Sequence, residues 1–172
     1  MTRTRLAALI LLALVPVFAA PAAHGQTAPS SEWRAFEGTW SASGQRQVLP
    51  TVSGRPAGTF QLSGALALTS GEGLSRGFRG EAIGFDDGSG VLAGQCVWTD
   101  ERGDRVYSQL KGETVATGRR VTGTVVGGTG RYAGLTGEFT FEWQYVVEGE
   151  SGAISGRATG LRGRVRGGGA AQ

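Results

Sequence analysis

Residues 127–148 read GGTGRYAGLTGEFTFEWQYVVE, and the fold turns on which half of that stretch is taken as its key. The first half holds Gly128-Thr129-Gly130-Arg131-Tyr132-Ala133, which satisfies the relaxed G-x-G-x-x-G/A spacing of a dinucleotide loop and follows the strand-like run RVTGTVV at 120–126. Such a loop works because a helix starts at its last glycine and aims its N-terminal amides at the pyrophosphate. The second half of the stretch forbids that helix. From Glu138 to Glu148 the apolar Phe139, Phe141, Trp143, Tyr145 and Val147 alternate with Glu138, Thr140, Glu142, Gln144 and Glu148, Val146 being the one exception. This is a strand with one buried and one wet face, so the glycines before it are read as a connection between strands. A phosphate loop of the other common kind is also excluded, since no Gly-Lys-Ser/Thr occurs in the chain.

Working outward, the same period of two recurs at Phe60, Leu62, Gly64, Leu66 and Leu68, at Leu92, Gly94, Cys96 and Trp98, at Val106, Ser108 and Leu110, and more weakly at Val121, Gly123 and Val125. No 11-residue window carries helical periodicity. Between the runs stand glycine and acid clusters such as Gly71-Glu72-Gly73, Asp86-Asp87-Gly88-Ser89-Gly90 and Asp100-Glu101-Arg102-Gly103-Asp104, which read as hairpin turns. The runs predict strands near 37–48, 57–69, 75–86, 90–100, 104–114, 119–127, 136–148 and 153–166. The chain is therefore expected to be all-β, an eight-stranded antiparallel up-and-down β-barrel over 36–166, because closure removes exposed sheet edges. Glycines inside the strands, Gly64, Gly80, Gly84, Gly94, Gly123, Gly156 and Gly160 among them, permit the sharp coiling a small barrel needs.

The first 25 residues have the grammar of a secretory leader: Arg3 and Arg5, the apolar stretch Leu6 to Ala20, then Ala23-His24-Gly25 as a small-x-small cleavage site. The expected product is exported, periplasmic or secreted, with no stable membrane anchor: the apolar stretch is short for a span and no cysteine near the cleavage site can take a lipid. Residues 26–35 are expected to form a loose arm and 167–172 a disordered tail. Cleavage would remove the only histidine, His24, so histidine-dependent nucleophiles and histidine metal sites are excluded, and the single cysteine cannot form an internal disulfide. It would also remove two of the 17 basic residues, leaving 15 against 14 acidic ones, so the net charge of +3 gives no support to nucleic-acid binding. Arg162, Arg164 and Arg166 at alternating positions read as a solvated strand face.

The run VTGTVVGGTGRYAGLTGEFTF at 121–141, together with Gly94-Gln95-Cys96, Asp100 and Gly103-Asp104-Arg105 upstream, resembles the allene oxide cyclase barrel-like group, which shares its fold with plant dirigent proteins. The resemblance implies an eight-stranded barrel with an apolar lumen, commonly a homotrimer, and a plant chemistry of steering cyclisation or radical coupling of hydrophobic small molecules. Phe36-Glu37-Gly38-Thr39-Trp40 is similar to the Gly-x-Trp opening of lipocalins and avidins, in which the tryptophan closes one end of the barrel.

Candidate residues follow from these files. Trp40, Phe60, Cys96, Trp98, Phe141, Trp143 and Tyr145 are the candidates for lining a ligand cavity, an ordinary core being the alternative use of the same side chains. Cys96 shares its apolar face with Trp98 and is expected to be a buried, inert thiol. Arg131, Tyr132 and Glu142 are the polar candidates. Glu142 and Glu138 have the parity opposite to the aromatic file and are expected in solvent, unless the barrel turns its aromatics outward into an interface. Asp86-Asp87 and Asp100-Glu101 with Asp104 lack a calcium-loop spacing and read as turn chemistry. No cofactor and no metal are expected. The expected function is binding of a small hydrophobic or aromatic molecule in the lumen, steering a cyclisation or isomerisation by confinement if it is an enzyme. The alternatives are a non-catalytic lipocalin-like carrier of apolar ligands and a structural or assembly barrel.

Overall fold

The computed structural model describes residues 32–52, 54–116 and 118–168; the expected leader, most of the expected arm and residues 169–172 of the expected tail lie outside the described residues. Eight strands follow one another: β1 (Arg34–Leu49), β2 (Ala57–Gly71), β3 (Gly77–Asp86), β4 (Val91–Asp100), β5 (Arg105–Val115), β6 (Gly118–Gly128), β7 (Thr136–Glu148) and β8 (Ala153–Arg166). Each pairs antiparallel with the next, and β8 pairs back onto β1, closing the barrel in up-and-down order. The strand pattern in the sequence is thus realised within a few residues at every boundary. β1 begins earlier than expected, because Arg34 and Ala35 pair with Val165 and Arg164 of β8 and belong to the wall rather than to an arm. At the other terminus the carbonyl of Gly167 accepts from Arg34 Nη2 at 2.8 Å, which ties down the start of the expected tail.

The aromatic file of β7 points inward, as the alternation requires. Val147 does not: the register slips between Tyr145 and Val147, and Val146 and Val147 are both exposed. An inserted residue in one strand restarts the inside–outside count, so the exception noticed at Val146 marks a β-bulge and ends the buried file at Tyr145. On the outer wall Arg79 pairs with Glu81 at 2.5 Å and Arg164 with Glu138 at 2.6 Å, while Arg164 and Arg166 both lie 4.7 Å from the centre of the Trp33 ring.

Inside, rings fill the lumen in two layers. Phe36, Phe78, Trp98, Tyr132 and Phe139 form the lower layer, with Trp98 and Phe139 ring centres 4.9 Å apart. Trp40, Phe141 and Trp143 form the upper one, Trp40 and Trp143 being 5.2 Å apart. Several strand glycines are the seats of these rings, a use beyond the coiling inferred from sequence: a Cβ at Gly123 would lie 2.0 Å from Phe139 Cζ, one at Gly84 2.4 Å from Phe60 Cζ, and one at Gly156 2.6 Å from Trp143 Cζ2. Large rings fit a narrow barrel because the neighbouring strand has no side chain where the ring lies across it.

Candidate functional site

The two ends of the barrel are built differently. At the end holding the β2–β3, β4–β5 and β6–β7 connections, the glycine-rich loop makes a single 3₁₀ turn, Gly130–Tyr132, instead of the helix a nucleotide site needs. Gly130 has φ +52°, and a Cβ there would lie within the carboxylate of Asp104. That close approach lets Asp104 Oδ2 accept from the Arg131 N–H at 3.2 Å. It also sends the Arg131 and Tyr132 side chains onto Asp100. One oxygen of Asp100 accepts from Arg131 Nε at 2.8 Å, Arg131 Nη2 at 2.5 Å and the Tyr132 hydroxyl at 2.9 Å, and the other from the N–H groups of Arg102 and Asp104 at 2.8 and 3.0 Å. The Asp100 side chain is wholly buried.

Burial alone would push the Asp100 carboxyl up, but Arg131, the Arg102 N–H, the Tyr132 hydroxyl and the Asp104 N–H together hold it below the usual carboxylate range. Burial pushes Tyr132 up to about 12, with Asp100 adding to the shift, and Asp100 raises Arg131 against the effect of its own burial. Every oxygen of Asp100 is therefore occupied by protein donors. Arg131 and Tyr132, two of the three polar candidates, serve here as a plug and lock for one end of the barrel. The two segments that carry the resemblance, Gly94–Arg105 and Val121–Phe141, meet at this lock. The paired acids are turn-formers, as expected: Asp87 Oδ1 accepts from the Ser89 N–H at 2.7 Å and Asp86 Oδ1 from the Gly88 N–H at 2.9 Å. Among the described residues no group of three His, Cys, Asp or Glu side chains is placed to hold a metal ion.

The opposite end opens into a cavity of about 30 Å³. Five of the seven ligand-lining candidates, Trp40, Phe60, Phe141, Trp143 and Tyr145, surround it. Cys96 and Trp98 lie deeper and border a separate void of about 10 Å³, and burial pushes the Cys96 thiol up to about 12. Phe60 and Tyr145 are only half buried and form the outer edge of the cavity, whereas Trp40, Phe141 and Trp143 are buried beneath them. Glu142 is on the outer wall, with Arg120 Nη2 3.8 Å from its carboxylate, and does not reach the lumen.

Arg119 was not singled out from sequence, and Asp86 was read there only as a turn acid. Arg119 of β6 lines the cavity, and its Nη2 donates to Asp86 Oδ2 of β3. Strands β4 and β5 separate β3 from β6 in the sheet, so the ion pair crosses the mouth of the barrel. Both side chains are largely buried. The signal was present in the parity: Arg119 stands in file with Val121, Gly123 and Val125, and Asp86 in file with Ala82 and Gly84. A charge at the end of an apolar file reads as a turn residue unless a partner across the lumen is known. A scan of the chain against protein-family models finds no match, and a search of curated proteins finds none either.

Proposed function

We propose that this chain is an exported barrel that binds a small hydrophobic or aromatic molecule in the upper lumen. The observation that carries the reading is the asymmetry of the two ends. One end is closed by a saturated hydrogen-bond network, while the other is bounded by two half-buried rings over an aromatic cavity. The cavity has room for about two water-sized groups, at ~10–15 Å³ each, so binding a whole ring requires Phe60 and Tyr145 to swing outward. An enzyme form of the reading would have to work by confinement alone, since Asp86 and Arg119 are engaged with each other and Cys96 is held protonated, and the carrier form, which needs no chemical step, is taken first. Membership of the allene oxide cyclase-like group, and with it a homotrimer, belongs to the proposal as what the resemblance implies.

Native mass spectrometry of the protein recovered from the exported fraction tests it. The expected spectrum is a trimer with a discrete apolar adduct that is chemically unchanged after release and is lost in Trp143→Ala. Absence of any adduct, together with failure to bind added single-ring hydrocarbons, would refute the luminal reading. A transformed product that disappears in the same variant would favour the enzyme.

A further inference from the structure

We infer that the upper lumen selects ligands with a neutral hydrogen-bond acceptor, a ketone or similar carbonyl on an apolar body, and that Arg119 receives that group. This deepens the luminal reading and rests on it. Among the described residues, five buried side-chain polar atoms have no hydrogen-bond partner, and three of them, Trp40 Nε1, Trp143 Nε1 and Arg119 Nη1, belong to side chains that line the one 30 Å³ cavity. Trp40 and Trp143 are each 4% exposed, so bulk water does not satisfy them. A buried donor without an acceptor is costly and calls for an occupant.

The chemistry of the three groups is uniform: each can donate and none can accept. The Asp86 carboxylate at the mouth is engaged with the protein, one oxygen taking the Gly88 N–H and the other Arg119 Nη2. The complement is therefore an acceptor. Its charge follows from the ion pair. Arg119 is already neutralised by Asp86, so a carboxylate would place a second anion on one guanidinium in an apolar surround and would have to shed its own hydration. A carbonyl oxygen takes Arg119 Nη1 with neither cost. The size of the cavity fits the head group, and the apolar body takes the space that Phe60 and Tyr145 vacate.

The test compares three probes of one shape, acetophenone, ethylbenzene and benzoate, titrated into the purified protein while the indole N–H signals of Trp40 and Trp143 are followed by NMR. Acetophenone is expected to bind about tenfold more tightly than either of the others, the size of one or two net hydrogen bonds, and to move the indole protons downfield. The double variant Arg119→Met, Asp86→Leu removes the pair without leaving a lone buried charge; it should bind ethylbenzene as before and lose most of the preference for acetophenone. Trp143→Phe, which deletes one donor and keeps a ring, should weaken acetophenone alone and serves if the double variant does not fold. Equal binding of acetophenone and ethylbenzene would overturn the head-group inference and leave the luminal reading intact. Tightest binding of benzoate would overturn the preference for a neutral acceptor. Binding of none of the three would overturn the luminal reading, and this inference with it.

Discussion

Gly123→Ala should destabilise the barrel, and Gly77→Ala should not, although both add one methyl group to a strand glycine. At Gly123 the new Cβ would stand 2.0 Å from Phe139 Cζ and 2.4 Å from both Cε atoms. Ordinary carbon contacts begin near 3.5 Å, so the ring must retreat by about 1.5 Å. It has nowhere to go: Phe139 has Trp98 at 4.9 Å and Phe141 at 6.2 Å between ring centres, and it is 3% exposed. Overpacking of this kind costs about 1–3 kcal/mol, and the smaller entropy of the unfolded alanine chain offsets ~0.4–1 of it. With three atoms in the way the net loss should be about 2 kcal/mol, which at a slope of about 2 kcal/mol per molar urea lowers the midpoint by about 1 M. A Cβ at Gly77 meets no atom within 4 Å, and that residue is not in the left-handed region. Only the unfolded-state gain remains, so the midpoint should rise by about 0.2–0.5 M. Placing Phe139→Leu in the Gly123→Ala background should cost less than the two single losses added together, because the clash is shared. A Gly123→Ala protein as stable as the parent, or a Gly77→Ala protein that falls with it, would refute the claim that strand glycines seat the core rings.

At the closed end, Asp100→Asn leaves the largely buried Arg131 with only the exposed Glu101 carboxylate, 3.1 Å from its Nη2, and should cost about 2 kcal/mol in urea denaturation. Because the folded Asp100 carboxyl titrates below its unfolded value near ~3.9, it stabilises the parent above that pH, and this stability is lost as the pH falls below about 4. Denaturation midpoints followed from pH 6 to pH 2 should show a drop that is smaller in the variant, since Asp87 and Glu101 are also held low and remain. Tyr132, pushed up to about 12, keeps its proton in the folded state where the unfolded chain has lost it, so stability should fall as the pH rises from about 10 toward 12. Ultraviolet titration should show one of the tyrosines ionising late, and Tyr132→Phe should remove that step. Cys96 should resist thiol reagents at pH 8 in the native protein and react at the rate of unfolding, which a labelling time course in rising urea would check.

The sequence showed the barrel because a closed sheet with a packed lumen imposes the strictest period a chain can carry. Phe139, Phe141, Trp143 and Tyr145 alternate without fault, and the one break, at Val146, coincides with a register slip. The glycine-rich loop was legible in what it could not be, since the strand after it left no helix for a phosphate. What it does was hidden: the contact between Gly130 and Asp104 joins residues 26 apart in sequence, and the stacking of Arg131 and Tyr132 on Asp100 depends on that contact. The aromatic candidates shared a parity, which puts them inside but does not tell upper lumen from lower; strand register separates Cys96 and Trp98 from the five around the cavity. The Arg119–Asp86 bridge was missed because charges at strand ends, Asp86 among them, are the rule in turns, and only the pairing from β3 to β6 makes these two a bridge.

The arrangement of satisfied and unsatisfied groups gives the ends different roles. A closed barrel of this size gains cooperativity from every strand being paired twice, so one well-anchored end can hold the whole register. Here the anchor is the Asp100 network, in which every acceptor is filled, and the lower aromatic layer packs directly on it through Phe78 and Tyr132, 5.8 Å apart. A chain selected for stability alone would finish the other end in the same way, with donors matched and the lumen filled. Instead three side chains that line the upper cavity each keep an unmatched donor, and the rings over it are the half-buried ones. Departures from local satisfaction gather where a protein meets something else, and three of the five among the described residues belong to side chains that line the upper cavity, the others being Arg34 Nε beside the closed end and Ser108 Oγ on β5. That is the physical ground for placing function at the mouth crossed by Arg119 and Asp86 rather than at the glycine-rich loop that first draws the eye.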